Sequence, residues 1–160
     1  REAFENGGVF LIDEIDSGNA NVLVSVNQSL ANGCCAFPDG MVQKHPDFVV
    51  IASANTWGSG ASRDYVGRNQ LDAATKDRFI PLKWEYDLTL EEMLCSHKEW
   101  LKEVRRVRSI VEEKGIRQVI SPRASIYGAK LLAVGFEFNQ VREMVLFKDM
   151  NDSERKIVNA

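Results

Sequence analysis

Two adjacent carboxylates, Asp13 and Glu14, follow an apolar run of Val9, Phe10, Leu11 and Ile12. Their types suit two jobs in one reaction. A hard cation such as Mg²⁺ takes oxygen ligands, and a water nucleophile needs a base within reach. Successive strand residues point to opposite sides, so the two carboxylates need not share a task. Asn55 follows a second apolar run, and Arg78 and Arg123 lie further along the chain. Phosphoryl transfer requires this kind of set: an acid that holds a metal, a group that orients water, and cations for the developing charge.

The elements that must place these residues can be read from local patterns. Residues 9–12 form a continuous apolar run, which predicts a short buried parallel strand covered on both faces. Ligands in open α/β sheets sit outside the carboxyl ends of such strands. Ser17, Gly18 and Asn19 offer a turn and a cap, and Val22, Leu23, Val26 and Leu30 recur at helical spacing up to Asn32-Gly33. Phe37-Pro38-Asp39-Gly40-Met41 predicts a turn inside a small hairpin over residues 34–44. Residues 48–52 predict a second strand, 57–70 a loop, 71–79 one or two helical turns, and 80–86 a third strand whose start Pro81 confines to an edge or bend.

The second half predicts helices throughout. Thr89 and Glu92 make a capping box for a long helix with Leu90, Leu94, Leu101, Val104 and Val111 on its apolar stripe, ending at Gly115. Arg105, Arg106 and Arg108 lie within it, either as a solvated face or as a surface for a partner. His97 falls inside the same helix. Ser121 and Pro122 start another helix, which runs to about Val134. A further helix spans about 139–149, and a short one closes the chain.

Composition narrows the class. In 160 residues, 44% hydrophobic and 27% charged content is ordinary for a soluble globular protein. A net charge of −3 does not point to nucleic acid or an anionic membrane surface. No apolar stretch approaches the length of a membrane span. Cys34, Cys35 and Cys95 lack zinc-site spacing and read as reduced thiols of a cytoplasmic protein. His45 and His97 match no metal pattern.

Four segments in order carry a family resemblance. Leu11-Ile12-Asp13-Glu14 resembles a Walker B motif, and Ile51-Ala52-Ser53-Ala54-Asn55-Thr56 resembles a sensor 1 strand. Tyr65-Val66-Gly67 with Gln70-Leu71-Asp72 and Asp77-Arg78-Phe79 resembles an arginine-finger segment. Ser121-Pro122-Arg123-Ala124 resembles a sensor 2 signature. Together they resemble the second half of an AAA+ ATPase module, most similar to the branch with the MoxR-like ATPases and the small AAA+ subunit of cobaltochelatase.

The resemblance implies an α/β fold: part of a P-loop NTPase parallel sheet over residues 1–87, then an all-helical lid over 88–160. It implies ATP and Mg²⁺ as cofactors. Asp13 would hold Mg²⁺ through its water shell, and Glu14 would polarise the attacking water. Asn55 would position that water or sense the γ-phosphate. Arg78 would reach into a neighbouring subunit's site, with Arg68 and Arg63 as alternatives and a salt bridge to Asp77 or Asp72 as the plain structural role. Arg123 would contact phosphate, in its own subunit or on a neighbour. The residue 34–44 hairpin would face a ring's pore through Phe37 to Met41, or stand as a surface turn.

No Gly-x-x-x-x-Gly-Lys-Ser/Thr occurs in the chain, and Gly128-Ala129-Lys130-Leu131 lacks its spacing and hydroxyl. The expectation is therefore that the phosphate cradle lies before Arg1, and that strand 48–52 has an unpaired edge beside an open apolar patch. The parent would be a cytoplasmic ring ATPase, a hexamer of copies of itself, that remodels a protein partner. A motor acting on nucleic acid and a non-catalytic assembly module are the alternatives. Lys44 alone at the hairpin base favours a protein partner.

Overall fold

The computed structural model describes residues 1–62 and 65–160. The chain divides into two compact units, Arg1–Leu82 and Lys83–Ala160. Among the described residues, no helix is long and apolar enough to cross a membrane.

The first unit is α/β. Helix α1 (Glu2–Asn6) precedes β1 (Gly8–Ile12), a short 3-10 turn (Ile15–Ser17) and α2 (Ala20–Asn32). The Asn19 side chain caps α2 by accepting the Asn21 N–H at 2.9 Å, and Gly33, at φ 66°, ends it in the left-handed region that glycine tolerates. Strands β2 (Cys34–Phe37) and β3 (Gly40–Gln43) form the expected antiparallel hairpin, with Phe37 opposite Gly40. Strand β4 (Phe48–Ala52) pairs in parallel with β1, Gly8 against Phe48 through Ile12 against Ala52.

The expectation of a strand covered on both faces fails. Val9 and Leu11 of β1 and Val49 and Ile51 of β4 share one face by register, and all four are exposed. The opposite face carries Phe10 and Phe48 toward α1 and α2, around an apolar pocket of about 230 Å³ also lined by Phe4, Val22 and Val26. A continuous apolar run records the side chains' preference and not the presence of a covering layer. The small core of this unit is Ile15, Leu23 and Leu71, with Ile12, Ala52 and Phe79 against it.

Residues 80–86 form no strand. Ile80 and Trp84 are 97% and 87% exposed, and Leu82 is also exposed. A strand exists only where a neighbour completes its ladder. Here no described strand lies alongside, and Pro81 lacks the N–H for one rung.

The second unit is helical: α4 (Leu88–Leu94), α5 (Lys98–Lys114), α6 (Pro122–Ala133), α7 (Phe138–Val141) and α8 (Asp152–Asn159), the short α3 (Ala73–Asp77) belonging to the first unit. The single long helix from Thr89 is in fact two. Asp87, not Thr89, caps α4, its carboxylate accepting the Leu90 N–H at 2.9 Å. The chain then breaks over residues 95–97. Cys95 turns its thiol to the Ser125 carbonyl at 3.4 Å, and His97 Nδ1 accepts the Trp100 N–H at 3.1 Å as the cap of α5. His97 is thus a helix start. Leu90 and Leu94 are exposed, while Leu101, Val104 and Val111 are buried as the stripe predicts. After α7 the chain widens into a π-type turn (Arg142–Leu146), where Phe147 N–H donates to the Arg142 carbonyl at 3.1 Å. The helix expected over 139–149 is therefore replaced by α7 and this turn.

Of the arginines of α5, Arg106 is exposed, as a solvated face predicts, whereas Arg105 and Arg108 turn to a buried carboxylate. Glu91 is buried, and Arg108 holds it with two nitrogens, at 2.5 and 3.1 Å. Arg105 donates to it at 3.2 Å and Ser125 Oγ at 2.6 Å. Arg106 pairs with Glu103 at 2.9 Å. Burial acts to raise the Glu91 pKa, but the hydrogen bonds from Arg108 and Ser125 and the charge of Arg108 outweigh it, lowering it from 4.5 to about 2. A carboxylate with a depressed folded pKa contributes stability that is fully present above its unfolded pKa and lost as the pH falls through the folded one. The helical unit should therefore lose stability between about pH 4.5 and about pH 2. Glu91→Gln should flatten that dependence in urea titrations repeated across the range.

Trp100 is wholly buried, its Nε1–H donating to the Ala124 carbonyl at 3.0 Å. Gly128 lets α6 approach the indole closely, since a Cβ there would lie 2.1–2.2 Å from Cε2, Cζ2 and Nε1 of Trp100. Gly128→Ala should destabilise the helical unit by about 1–3 kcal/mol through overpacking, read as a lower urea midpoint.

Candidate active site

The β1–β4 pairing continues past both strands and builds the site. Ser53 N–H donates to the Ile12 carbonyl, and Ile15 N–H to the Ser53 carbonyl, each at 2.9 Å. Ser53 thereby stands beside Asp13 and Glu14. Its hydroxyl donates to Asp13 Oδ1 and accepts the Glu14 N–H at 3.0 Å. Glu14 has φ 53° and ψ 48°, the only non-glycine at positive φ among the described residues. Its carbonyl accepts the N–H and the hydroxyl of Ser17, both at 2.8 Å. Strand alternation has ended before this residue, so the relative directions of Asp13 and Glu14 are set by a turn.

Asp16 is a part of the site that sequence reasoning missed. Its side chain is wholly buried, and Oδ2 accepts the N–H of Asn55 at 3.2 Å and the N–H and hydroxyl of Thr56, each at 2.9 Å. Oδ1 has no hydrogen-bond partner among the described residues, but Arg68 Nη1 lies 3.5 Å away. The Asp16 carbonyl accepts the Asn69 N–H at 2.6 Å. One residue thus joins the acidic segment, the Asn55 loop and the Arg68 segment. The available signal was an acidic residue three positions after Asp13, inside a segment with an apolar Ile15.

Arg68 also donates from Nη2 to Glu14 Oε1 at 3.0 Å. That hydrogen bond, and then the charge of the guanidinium, holds the Glu14 carboxyl below the usual carboxylate range. Arg68, an alternative for a finger directed at a neighbour, is engaged by two carboxylates of its own chain. Arg63 lies outside the described residues.

Arg78 ends α3, which Asp72 caps by accepting the Thr75 N–H at 2.6 Å. Buried Thr75 also accepts from Asn27 of α2 at 2.6 Å. The Arg78 guanidinium is exposed and donates to the Ala74 carbonyl. Among the described residues no Arg78 nitrogen lies within 4.0 Å of a carboxylate oxygen of Asp72 or Asp77. The hydrogen bond from the Thr75 N–H holds the Asp72 carboxyl below the usual range, and the charge of Arg78 helps. Nor does Arg78 hydrogen-bond to Asp13, Glu14 or Asn55. The structure therefore brings together Asp13, Glu14 and the main chain of Asn55, while Arg78 stands on an exposed helix end with no hydrogen bond to them. Arg123 lies exposed in the first turn of α6, in the second unit.

Two features define the class: acidic residues where a parallel strand ends, and a polar loop leaving the adjacent strand beside them. The first unit is an α/β layer and the second is helical, an arrangement consistent with a partial P-loop NTPase fold of the AAA+ kind. Residues 1–79 match the family model described as AAA domain (dynein-related subfamily), which supports an AAA+ module of ATPase type. A search of the curated proteins finds no match.

Asp16→Ala would leave the donors of Asn55 and Thr56 without their acceptor and Arg68 without its buried counter-charge. It should destabilise the first unit by about 3–5 kcal/mol. Asp16→Asn, which keeps an oxygen acceptor, should cost less in the same chemical denaturation series.

Proposed function

We propose that the chain is the hydrolytic part of an AAA+ ATPase that works as a ring and remodels a protein partner, as in the MoxR-like and chelatase branch. The observation that carries this reading is the placement of Asp13 and Glu14 at the carboxyl end of β1, beside the loop that bears Asn55.

The donor chemistry suits Mg²⁺ with a nucleotide. Magnesium bound alongside phosphates uses one or two carboxylates rather than a protein cage. Among the described residues no cluster of three or more His, Cys, Asp or Glu forms such a cage. Asp13 is exposed at the strand end, with the Ser53 hydroxyl on one oxygen, and would hold the ion. The ion with ATP supplies charge neutralisation on the phosphates.

Glu14 then accepts the proton of the attacking water. Asn55 orients that water, its main chain fixed on Asp16. Arg78, exposed and free of intrachain ion pairs among the described residues, meets the developing charge in an adjacent subunit, and Arg123 contacts phosphate from the helical lid. The phosphate cradle of this reading is supplied outside the 160 residues, since none of their segments has its pattern. Lys44 is the one basic residue of the hairpin itself, and Arg1, which lies over the Phe37 ring, is paired with Asp39 at the tip. The hairpin therefore offers little free positive charge, which favours a protein over a nucleic acid at that surface.

In the assembled ATPase, Glu14→Gln should lower ATP turnover by at least about 100-fold and leave nucleotide affinity nearly unchanged. The amide is neutral and does not accept the proton. Turnover at the wild-type rate would remove the reading.

A further inference from the structure

Glu14 is exposed on a turn, with rotatable side-chain bonds, yet one of its oxygens is tied. Arg68 holds Oε1 at 3.0 Å, while Oε2 makes no hydrogen bond among the described residues. Arg68 is no loose surface cation. Its side chain is 13% exposed, its Nη1 faces the buried Asp16 carboxylate at 3.5 Å, and the next residue, Asn69, is bonded to the Asp16 main chain. Asp16 in turn is fixed by the donors of Asn55 and Thr56. A fixed carboxylate therefore holds a guanidinium, which holds the candidate base. A base oriented by a third group is a recurrent device for activating a nucleophile.

We infer that Arg68 is a positioning residue for Glu14, binding Oε1 so that Oε2 is presented in one place to a water. This rests on the reading of Glu14 as the base. The planar fork of arginine spans both carboxylates at once, and a lysine ammonium is a compact charge without that fork. Arg68 thus acts within its own chain, and not on a neighbour.

The test compares Arg68→Ala, Arg68→Lys and Glu14→Gln in the assembled ATPase. Arg68→Ala should lower kcat about 10- to 100-fold with KM unchanged, the scale of a misplaced reacting group. Arg68→Lys should recover little of that loss. In the Glu14→Gln background, Arg68→Ala should cause no further loss. Without nucleotide, NMR relaxation of the Glu14 side chain should show it ordered in the wild type and mobile in Arg68→Ala. If Arg68→Ala does not fold, Arg68→Gln, too short to serve both carboxylates, carries the same expectations.

A wild-type kcat in Arg68→Ala, a loss in KM alone, an additive loss with Glu14→Gln, or full recovery by lysine would overturn the inference. So would an unchanged Glu14 order. Wild-type turnover in Glu14→Gln would instead sink the underlying ATPase reading, so the two failures are told apart.

Discussion

The first unit depends on a parallel pairing of five residues against five. Once Ile12 lies opposite Ala52, Ser53 must fall beside Asp13 and Glu14, and its hydroxyl can serve both. Strand register in this sense is a chemical variable. A slip by one residue would exchange the faces of the strand and remove the hydroxyl from the acidic pair. The turn that follows brings Asp16 inward, where it collects the first two amides after Ala54 and fixes the Arg68 segment. Short-range pairing thereby organises contacts among residues separated by 39 to 54 positions in the chain.

The two units solve burial differently. The helical unit has an extensive apolar core from Cys95 to Val158, and sets within it a fully bonded carboxylate with two arginines and a serine. A buried ion group is favourable only when every lone pair finds a donor, and Glu91 meets that condition. The α/β unit has a small core and an exposed apolar sheet face. Its order rests to a greater degree on polar ties, of which those at Asp16 are the most concentrated.

Local pattern identified what local forces determine. The hairpin, the cap at Asn19 and the stop at Gly33 follow from neighbouring residues, and the strands at Gly8–Ile12 and Phe48–Ala52, although each needs the other for its ladder, are both marked by continuous apolar runs. The misses arise where a distant partner decides. Ile80, Leu82, Trp84 and Tyr86 alternate as a strand should, but alternation does not supply a neighbouring ladder. The α4–α5 break depends on a thiol reaching Ser125 and an imidazole capping Trp100, neither visible as a helix stop. Arg105 and Arg108 look like a charged surface until the fold sets Glu91 beneath them. Of the site, the Asp13, Glu14 and Asn55 grouping could be anticipated from spacing, because strand ends converge at one edge of a sheet. Asp16 and Arg68 could not, because their pairing joins a turn to a loop 52 positions away.

Glu14's backbone has a different implication. An L-residue other than glycine in the left-handed region costs about 1–2 kcal/mol, and asparagine, aspartate and glycine bear it best. The residue best suited to that bend is therefore not the one best suited to accept a proton. A screen for thermostability would favour Gly or Asn at position 14 and, on the proposed reading of Glu14 as the base, would select against hydrolysis at the same step. Under that reading, ranking variants by melting temperature alone would promote ones that lack the proposed base, a trade-off between stability and activity confined to one backbone angle.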